Sequence, residues 1–266
     1  MTLWVKHTKA ERIALLQRAE EKFHINQLAL EKDCWVTMVL NALFKCSCSK
    51  ELIFKGGTSL SKGWNLIERF SEDIDLSVNH TFFGIEKTTK NQREKLRKKA
   101  RRYILDVISN ELEDNLKGMG VKGFRIENVE ETIDDNGVAT TVASDKDPSV
   151  ILVHYNSILK TTNEYIPPRV KIEISCLSMN EPTEDRLISS YVEQTFPGED
   201  DATSATIRTV VPTRTFLEKA FLLCEEFQKK EPRHIRMSRH LYDLERLMDT
   251  DFGKQALDDK NLYERI

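Results

Sequence analysis

Residues 54–78 read FKGGTSLSKGWNLIERFSEDIDLSV, and this stretch sets the architecture of the chain. The short apolar run Leu52–Lys55 ends at two glycines, which predicts a strand that leaves into a tight turn. Asp73 to Val78 alternates polar and aliphatic side chains, with the period of a half-buried strand. Between the two strands the sequence predicts a helix over residues 59–69, despite Gly63.

The tetrapeptide Gly56-Gly57-Thr58-Ser59 lies at the end of the first predicted strand. Glycines let the backbone turn sharply and approach a ligand, and the free amides at a helix start attract anions. The tetrapeptide therefore predicts a phosphate-binding turn beside Thr58 and Ser59. Most such tetrapeptides are simple turns, so the interpretation depends on the strand that follows.

Two acids, Asp73 and Asp75, are two residues apart on the second predicted strand. Their carboxylates project from one face, whereas Ile74 and Leu76 point into the core. Because neighbouring carboxylates repel unless a cation lies between them, the pair predicts a divalent metal site for Mg²⁺ or Mn²⁺. A solvent-facing edge strand would produce the same pattern.

A third acid follows the same scheme on the predicted strand Arg169–Ser175. If this strand neighbours the strand of Asp73 and Asp75, Glu173 joins them around the metal, with Lys171 near a phosphate. Three carboxylates that hold two divalent ions suit in-line attack on the α-phosphate of an NTP. An ordinary amphipathic strand is the alternative for this segment alone.

Other segments complete an α+β pattern, with a mixed sheet between an N-terminal helical region and a C-terminal helical bundle. Residues 8–46 are predicted to be helical, and residues 134–137 to form the tip of a hairpin between 124–131 and 138–143. Further strands are predicted at Ser149–Tyr155 and Thr206–Val211. The expected division is a domain over residues 1–211 and a helical region over 212–266 that completes the active site.

The C-terminal region is predicted from two helical patterns. Thr215 and Glu218 have the spacing of a capping box, which predicts a helix start. The predicted apolar faces comprise Phe216, Ala220, Leu223 and Phe227 in one helix, and Met237, Leu241, Leu244 and Met248 in the next.

The composition is that of an ordinary globular chain, with 39% hydrophobic residues and a net charge of −3. We expect no membrane segment, no signal peptide and a cytoplasmic location, because no long apolar run occurs and five irregularly spaced cysteines make a poor disulfide framework. Residues 87–102 are strongly basic and could neutralise the phosphates of a nucleic acid, although a solvated helix face explains them equally well.

The stretch that runs from Phe54 to Leu76 resembles the signature of the AbiEii/AbiGii toxin family. The resemblance extends to Glu31–Asp33, Lys171–Glu173, Lys219 and Arg239–Leu244, and so spans most of the chain. It implies a nucleotidyltransferase fold, an NTP as donor, a cognate antitoxin, and a role in a bacterial toxin–antitoxin or phage-defence system. The related MenT toxins act on the 3′ end of tRNA, which implies an RNA acceptor.

The resemblance also implies roles that the residues alone do not suggest. Lys219 matches a lysine expected to contact nucleotide phosphates, Asp243 an acid that shapes the active site, and Ser71 a serine close to the metal. Without the resemblance, Lys219 is interpreted as a surface lysine and Asp243 as an i,i+4 partner of Arg239.

The sequence departs from the family pattern in two respects. The third carboxylate is Glu173 rather than the aspartate common in the wider superfamily. Relatives usually continue through more helix beyond the position of Ile266, so a shortened form is expected.

Two other functions remain open at this point. A nucleotidyltransferase could modify a small molecule or a protein, and a nucleotide-binding protein could lack turnover altogether. The basic run favours RNA over the first. The three acids on matching strand faces favour catalysis over the second.

Overall fold

The strands on either side of the glycine turn form as predicted and lie side by side within one sheet. β1 (Leu52–Lys55) runs antiparallel to β2 (Ile74–Val78), with Phe54 opposite Leu76. The structure is a computed structural model, which describes residues 2–85, 89–133, 138–160, 166–177, 182–233 and 237–266.

A seven-stranded mixed sheet surrounds this pair, which confirms the predicted α+β class. The remaining strands are β3 (Phe124–Asn128), β4 (Glu131–Ile133), β5 (Ala139–Thr141), β6 (Ser149–Tyr155), β7 (Arg169–Ser175), β8 (Thr183–Ile188) and β9 (Ala205–Val210). The strand order is β3-β6-β7-β2-β1-β9-β8, and β4 and β5 form a separate ribbon. The pairs β2–β7 and β1–β9 are parallel, whereas the other pairs are antiparallel.

The predicted hairpin is partly wrong. β4 and β5 do pair with each other, but residues Phe124–Asn128 pair with β6 instead, because Phe124 and Ile126 pack against the core of the sheet. The predicted tip, Asp134–Gly137, lies outside the described residues. β8 was not predicted at all, since it is an edge strand whose mostly polar side chains give no apolar alternation.

The N-terminal helical region is confirmed, but it consists of two helices, α1 (Lys9–Phe23) and α2 (Gln27–Leu43). Between them His24 adopts a left-handed φ of 55°. The side chain of Asn26 then caps α2 by accepting a hydrogen bond from the amide of Ala29 at 2.9 Å. Such a cap satisfies an otherwise unpaired amide and starts a new helix.

The helix after the glycine turn differs from the prediction at both ends. α3 (Gly56–Lys62) begins at the first glycine rather than at Ser59 and ends well before Arg69. Asn65 takes a left-handed φ of 52°, which is incompatible with a continued right-handed helix. The following residues instead cross toward the C-terminal helices.

The basic run forms a helix within the described residues, α4 (Lys90–Tyr103), whereas Lys87 lies outside them. The helix continues through the π-helical segment Ile104–Ile108 into α5 (Ser109–Gly118), which packs on α2. The run is not entirely solvated, because Arg101 is buried.

The C-terminal region is helical as predicted. Its elements follow the short helix α6 (Tyr191–Thr195) and are α7 (Pro212–Phe227), α8 (Ser238–Met248), α9 (Asp251–Asp258) and α10 (Lys260–Arg265). The predicted capping box at Thr215 is wrong. The helix begins at Pro212, whose fixed φ suits a first helical position. None of the helices in the described ranges has the length and apolar character needed to cross a bilayer.

The predicted apolar face of α8 is partly wrong, because Met237 is buried and Leu244 packs against the core as predicted but the other two residues do not. Leu241 and Met248 are exposed, and the buried residues of this helix are Asp243 and Leu247. The rotation follows from the partners of Asp243, which lies inside the protein between two cations. In α7, Phe216 is buried as predicted, whereas Phe227 is exposed.

Two apolar cores organise the chain. The larger one joins the sheet to α1, α2, α4 and α5. The smaller one packs Leu60 and Ile67, from α3 and the segment after it, against Phe216, Leu247 and Leu262 of the C-terminal helices. The division of the chain at residue 211 stays a prediction.

Three consecutive charged residues of α2 are buried, namely Glu31, Lys32 and Asp33. Each has a partner in a different part of the chain, since buried charges are costly unless they are paired and hydrogen-bonded. The partners are Ile158 N (2.8 Å) and Ser157 Oγ (2.5 Å) for Glu31, Glu72 (2.7 Å) for Lys32, and Lys62 (2.5 Å) for Asp33. These contacts fix the rotation of α2 against the rest of the fold.

Asp200 ties the N-terminus to the loop before β9. Its carboxylate accepts hydrogen bonds from Trp4 N at 2.9 Å, Ser190 Oγ at 2.6 Å and Thr203 Oγ1 at 3.1 Å. Burial raises the pKa of Asp200 to about 7, because these three donors offset the loss of hydration incompletely.

Because the pKa of Asp200 is raised in the folded state, this residue makes the unfolding free energy depend on pH. The folded state holds the proton on Asp200 from about pH 4 to 7 while the unfolded chain releases it, so this contribution to stability is lost as the pH rises. We expect the unfolding free energy of the wild type, relative to Asp200→Asn, to fall by up to about 1.4 kcal/mol per pH unit in that range. Urea unfolding of both proteins at several pH values measures the difference. Parallel pH profiles for the two proteins would contradict it.

Candidate active site

The register of the central strands brings the predicted acids together. β2 and β7 run parallel with Asp75 directly beside Glu173, and Lys55 of β1 faces Asp75 on the other side. Asp73 immediately precedes β2, so it lies at the end of the strand. The neighbouring strands that the sequence analysis required are therefore present.

The glycine turn packs directly against these acids. Gly56 has a φ of 79°, and a Cβ at this position would overlap the carboxylate of Asp75. A Cβ on Gly57 would lie 2.7 Å from Arg69 Nη2 and 2.9 Å from Ser71 Oγ. Both glycines are thus needed for close approach, and Gly56 is also needed for its left-handed backbone.

Thr58 and Ser59 are placed differently from the glycines. Both side chains are buried. The Thr58 hydroxyl donates to the carbonyl of Asp73 at 2.5 Å and lies 3.0 Å from Ser71 Oγ, while Ser59 Oγ donates to the carbonyl of Gly56 at 2.8 Å. These hydroxyls hold the turn in shape from within, and their predicted part in nucleotide binding stays a prediction.

A cavity of about 300 Å³ lies over the glycine turn and is called here the carboxylate cavity. The predicted site residues among its lining are Gly56, Gly57, Ser71, Asp73, Asp75, Glu173 and Lys219. Lys171 is not part of this lining and instead pairs with Glu173 at 2.7 Å. The structure therefore gathers most of the predicted site in one place.

The carboxylate of Asp75 is the most perturbed acid of the cavity. Burial, followed by repulsion from Glu173 and Asp73, raises the pKa of Asp75 to about 7. Repulsion of this kind is relieved by a cation between the carboxylates.

The donor set fits a hard divalent cation, because it consists of carboxylate oxygens. Within the described ranges, no three acid, histidine or cysteine side chains are grouped closely enough to hold a metal unaided. This arrangement suits Mg²⁺, which commonly takes one or two protein carboxylates and completes its shell with water and substrate phosphates.

A second group of charges lies at the carboxylate cavity, where Arg69 and Lys219 form part of the lining. Asp243 is fully buried and accepts both Arg69 Nε at 2.7 Å and Arg69 Nη2 at 2.6 Å. Lys219 Nζ lies 2.9 Å from the same carboxylate. Burial alone would raise the pKa of Asp243, but the hydrogen bonds from Arg69 and the charge of Lys219 outweigh it and lower the pKa.

Asp243 thus holds the two cations in place, and its partners differ from the one considered in the sequence. The i,i+4 pair with Arg239 is wrong: Arg239 forms no ion pair with any residue that the structure describes. Lys219 is largely buried at the cavity rather than on the surface.

Sequence reasoning missed three residues of this wall: Arg69, Arg239 and His240. His240 Nδ1 lies 3.4 Å from Lys219 Nζ, and burial together with the charge of Lys219 lowers its pKa to about 4. It is therefore neutral near pH 7. All three lie within stretches that carry the family resemblance, which was the signal available for them.

A larger cavity of about 580 Å³ adjoins the first and is called here the Phe70 cavity. It shares Arg69, Ser71, Asp73 and Arg239 with the carboxylate cavity. The two cavities therefore have a common wall.

A match to a protein-family model places the chain among the nucleotidyltransferases. The chain belongs to the AbiEii family, because residues 39–265 match the model described as "Nucleotidyl transferase AbiEii toxin, Type IV TA system". The family resemblance is thereby confirmed. Membership implies an NTP substrate and a cognate antitoxin.

A solved structure shows the same fold. The chain is similar to MenT4, a nucleotidyltransferase toxin from Mycobacterium tuberculosis, with a TM-score of 0.50 over 97% of this chain and 69% of that one. The two are 18% identical in sequence, so the likeness concerns the fold alone. Among curated proteins, no sequence matches the chain.

Substitution of Gly56 by alanine is expected to damage the site more than the fold. The new Cβ would displace the Asp75 carboxylate, and the left-handed φ would cost about 1–2 kcal/mol in strain. We expect NTP binding to be lost and thermal unfolding to shift downward by several degrees. Gly84→Ala is the matched control, because Gly84 has a similar φ of 71° but its Cβ would meet no atom within 4 Å. Equal behaviour of the two variants would contradict the close approach.

Substitution of Asp243 tests the buried ion pairs. Asp243→Ala leaves Arg69 and Lys219 without their counter-charge, and we expect the unfolding free energy to fall by about 3–5 kcal/mol. The exposed Asp249 lies at the end of the same helix, and its alanine variant should change stability by less than about 0.5 kcal/mol. Urea unfolding compares the two, and similar losses would refute a special role for Asp243.

Proposed function

We propose that this toxin transfers a nucleoside monophosphate from an NTP to the 3′ end of an RNA, with a divalent cation at Asp73, Asp75 and Glu173. The observation that carries the proposal is the strand register, which sets Asp75 beside Glu173 in the lining of a cavity that Lys219 also lines. A protein that only bound nucleotides would have little use for three acids at this point.

The three acids are proposed to hold Mg²⁺ or Mn²⁺ together with water and substrate phosphates, which would complete the shell that the acids alone do not form among the residues that the structure describes. When bound, the metal would neutralise triphosphate charge and lower the pKa of the attacking hydroxyl. Glu173 would exchange its contact with Lys171 for the metal, which would free the lysine for a phosphate.

The remaining walls are proposed to bind the triphosphate. Lys219, oriented by Asp243, would contact the phosphates, and the turn at Gly56 and Gly57, which lines the cavity, would bind them through backbone amides. Ser71, on the common wall, would hydrogen-bond the same group. Thr58 and Ser59 would act indirectly by maintaining the turn.

The transfer itself is a single displacement. The acceptor hydroxyl oxygen forms a bond to the α-phosphorus while the bond from that phosphorus to the bridging oxygen breaks. Pyrophosphate leaves, and the hydroxyl proton is released to water. The residues of the chain supply positioning and charge stabilisation, which dominate catalysis of such reactions.

RNA is favoured as the acceptor by the basic helix α4. Lys90, Lys95 and Arg102 are exposed along it, so their charges can face a phosphate backbone. A tRNA 3′ end is the proposed target, and a cytoplasmic role in phage defence would follow from toxicity of such a modification.

The test is incubation of purified protein with each NTP, labelled at the α-phosphate, plus Mg²⁺ and total bacterial RNA. We expect label in a discrete RNA band, loss of the label with EDTA, and at least a ~100-fold lower rate for Asp75→Asn, because charge stabilisation is removed. Asp185→Asn is the matched control, as it is an exposed acid on another strand.

The other outcomes separate the alternatives. Label in a small product or on a protein would show that the acceptor is a small molecule or a protein instead of RNA. Unchanged transfer of label in the presence of EDTA would refute the proposed requirement for a divalent cation. NTP binding without any transfer, to any acceptor offered, would refute the proposed reaction.

A further inference from the structure

The common wall between the two cavities raises the question of what the Phe70 cavity binds. Its volume of about 580 Å³ lies within the range of small-molecule sites. Asp73 and Ser71 line it together with the carboxylate cavity. A ligand in the Phe70 cavity would therefore lie next to the proposed phosphate site, with Ser71 and Asp73 between the two.

The ring of Phe70 is available to such a ligand. Phe70 is half-buried and belongs to neither apolar core among the residues that the structure describes. Ile25, Ala29 and Ile166 line the same cavity with apolar surface. A half-exposed aromatic ring with aliphatic surroundings suits a flat base, because bases stack on aromatic side chains.

The charges around this ring suit one end of a nucleic acid chain. Glu72 is neutralised by Lys32 at 2.7 Å, whereas Arg239 has no ion-pair partner within the described parts of the chain. A guanidinium on the common wall is suited to a phosphodiester. His24, Asn26 and Glu68 at the rim are exposed, so a polymer can continue from the cavity into solvent.

We propose that the Phe70 cavity holds the terminal nucleoside of the RNA acceptor, with its base stacked on Phe70 and its ribose hydroxyl directed to the common wall. The inference rests on the proposed function. In-line displacement requires the acceptor to approach the α-phosphorus from the side opposite the leaving pyrophosphate. A triphosphate at Lys219 and the glycine turn leaves the common wall as that side.

The base of the NTP donor is the other base that could stack on Phe70. Kinetic measurements distinguish the donor base from the terminal base of the RNA acceptor. For Phe70→Ala we expect the KM for RNA to rise by roughly tenfold or more while NTP binding is unchanged, because one base–aromatic stack is lost. Phe70→Trp retains a ring and should restore the KM. Phe227→Ala is the matched control, since Phe227 is an exposed phenylalanine of α7 that lines neither cavity.

The opposite results overturn the proposal. Weaker NTP binding with an unchanged KM for RNA would place the donor base in the Phe70 cavity. Unchanged values for both substrates would show that no base stacks there. An equal loss in Phe70→Trp would show that Phe70 acts through packing alone.

A measurement without turnover separates this proposal from the proposed reaction. A short single-stranded RNA with a 3′-terminal 4-thiouridine is irradiated with the wild-type protein, and the crosslinked peptide is identified by mass spectrometry. A crosslink at Phe70 or Ile25 supports the pocket even if no label is transferred, which would refute the reaction alone. Transfer of label with a crosslink elsewhere would refute the pocket alone.

Discussion

The carboxylate of Asp243 joins three separate segments of the chain at the candidate active site. It accepts Arg69 in a bidentate pair from the segment before β2 and Lys219 from α7, while it is itself carried by α8. A buried ion pair of this kind adds little net stability compared with an apolar replacement, but loss of one partner is severe. The interaction therefore serves geometry, because it fixes Lys219 in the lining of the cavity that also contains Asp73, Asp75 and Glu173.

A second constraint acts from the sheet side, where backbone and carboxylate are in contact. Gly56 can lie against Asp75 because it has no side chain and accepts a φ of 79°. Asp75 in turn stands beside Glu173 through the parallel pairing of β2 and β7. The pairing of β2 with β7 thus brings together acids that lie about a hundred residues apart in the sequence.

Part of the fold and of the candidate site could be predicted from the alternation of side chains along the strands and from the turn residues between them. The strands β1, β2, β6 and β7 follow from alternation and turn residues, and the acids then follow from the strands. The edge strand β8 could not be predicted, because its mostly polar sequence shows no alternation of apolar and polar residues. The inward face of α8 was predicted only in part, because the buried Asp243 occupies a position that apolar periodicity would give to a hydrophobic residue. Long-range ion pairs such as Arg69–Asp243 leave no signal in a single sequence.

Helix α2 has a consequence for the dynamics of the molecule. Every residue from Ala29 to Leu43 is buried, including the charged triplet that contacts three other segments. Such a helix has no face from which it can open locally, because any movement would break apolar packing and ion pairs at once. Its amide hydrogens should exchange with solvent only when the whole fold opens, so their exchange rates report the global free energy of unfolding.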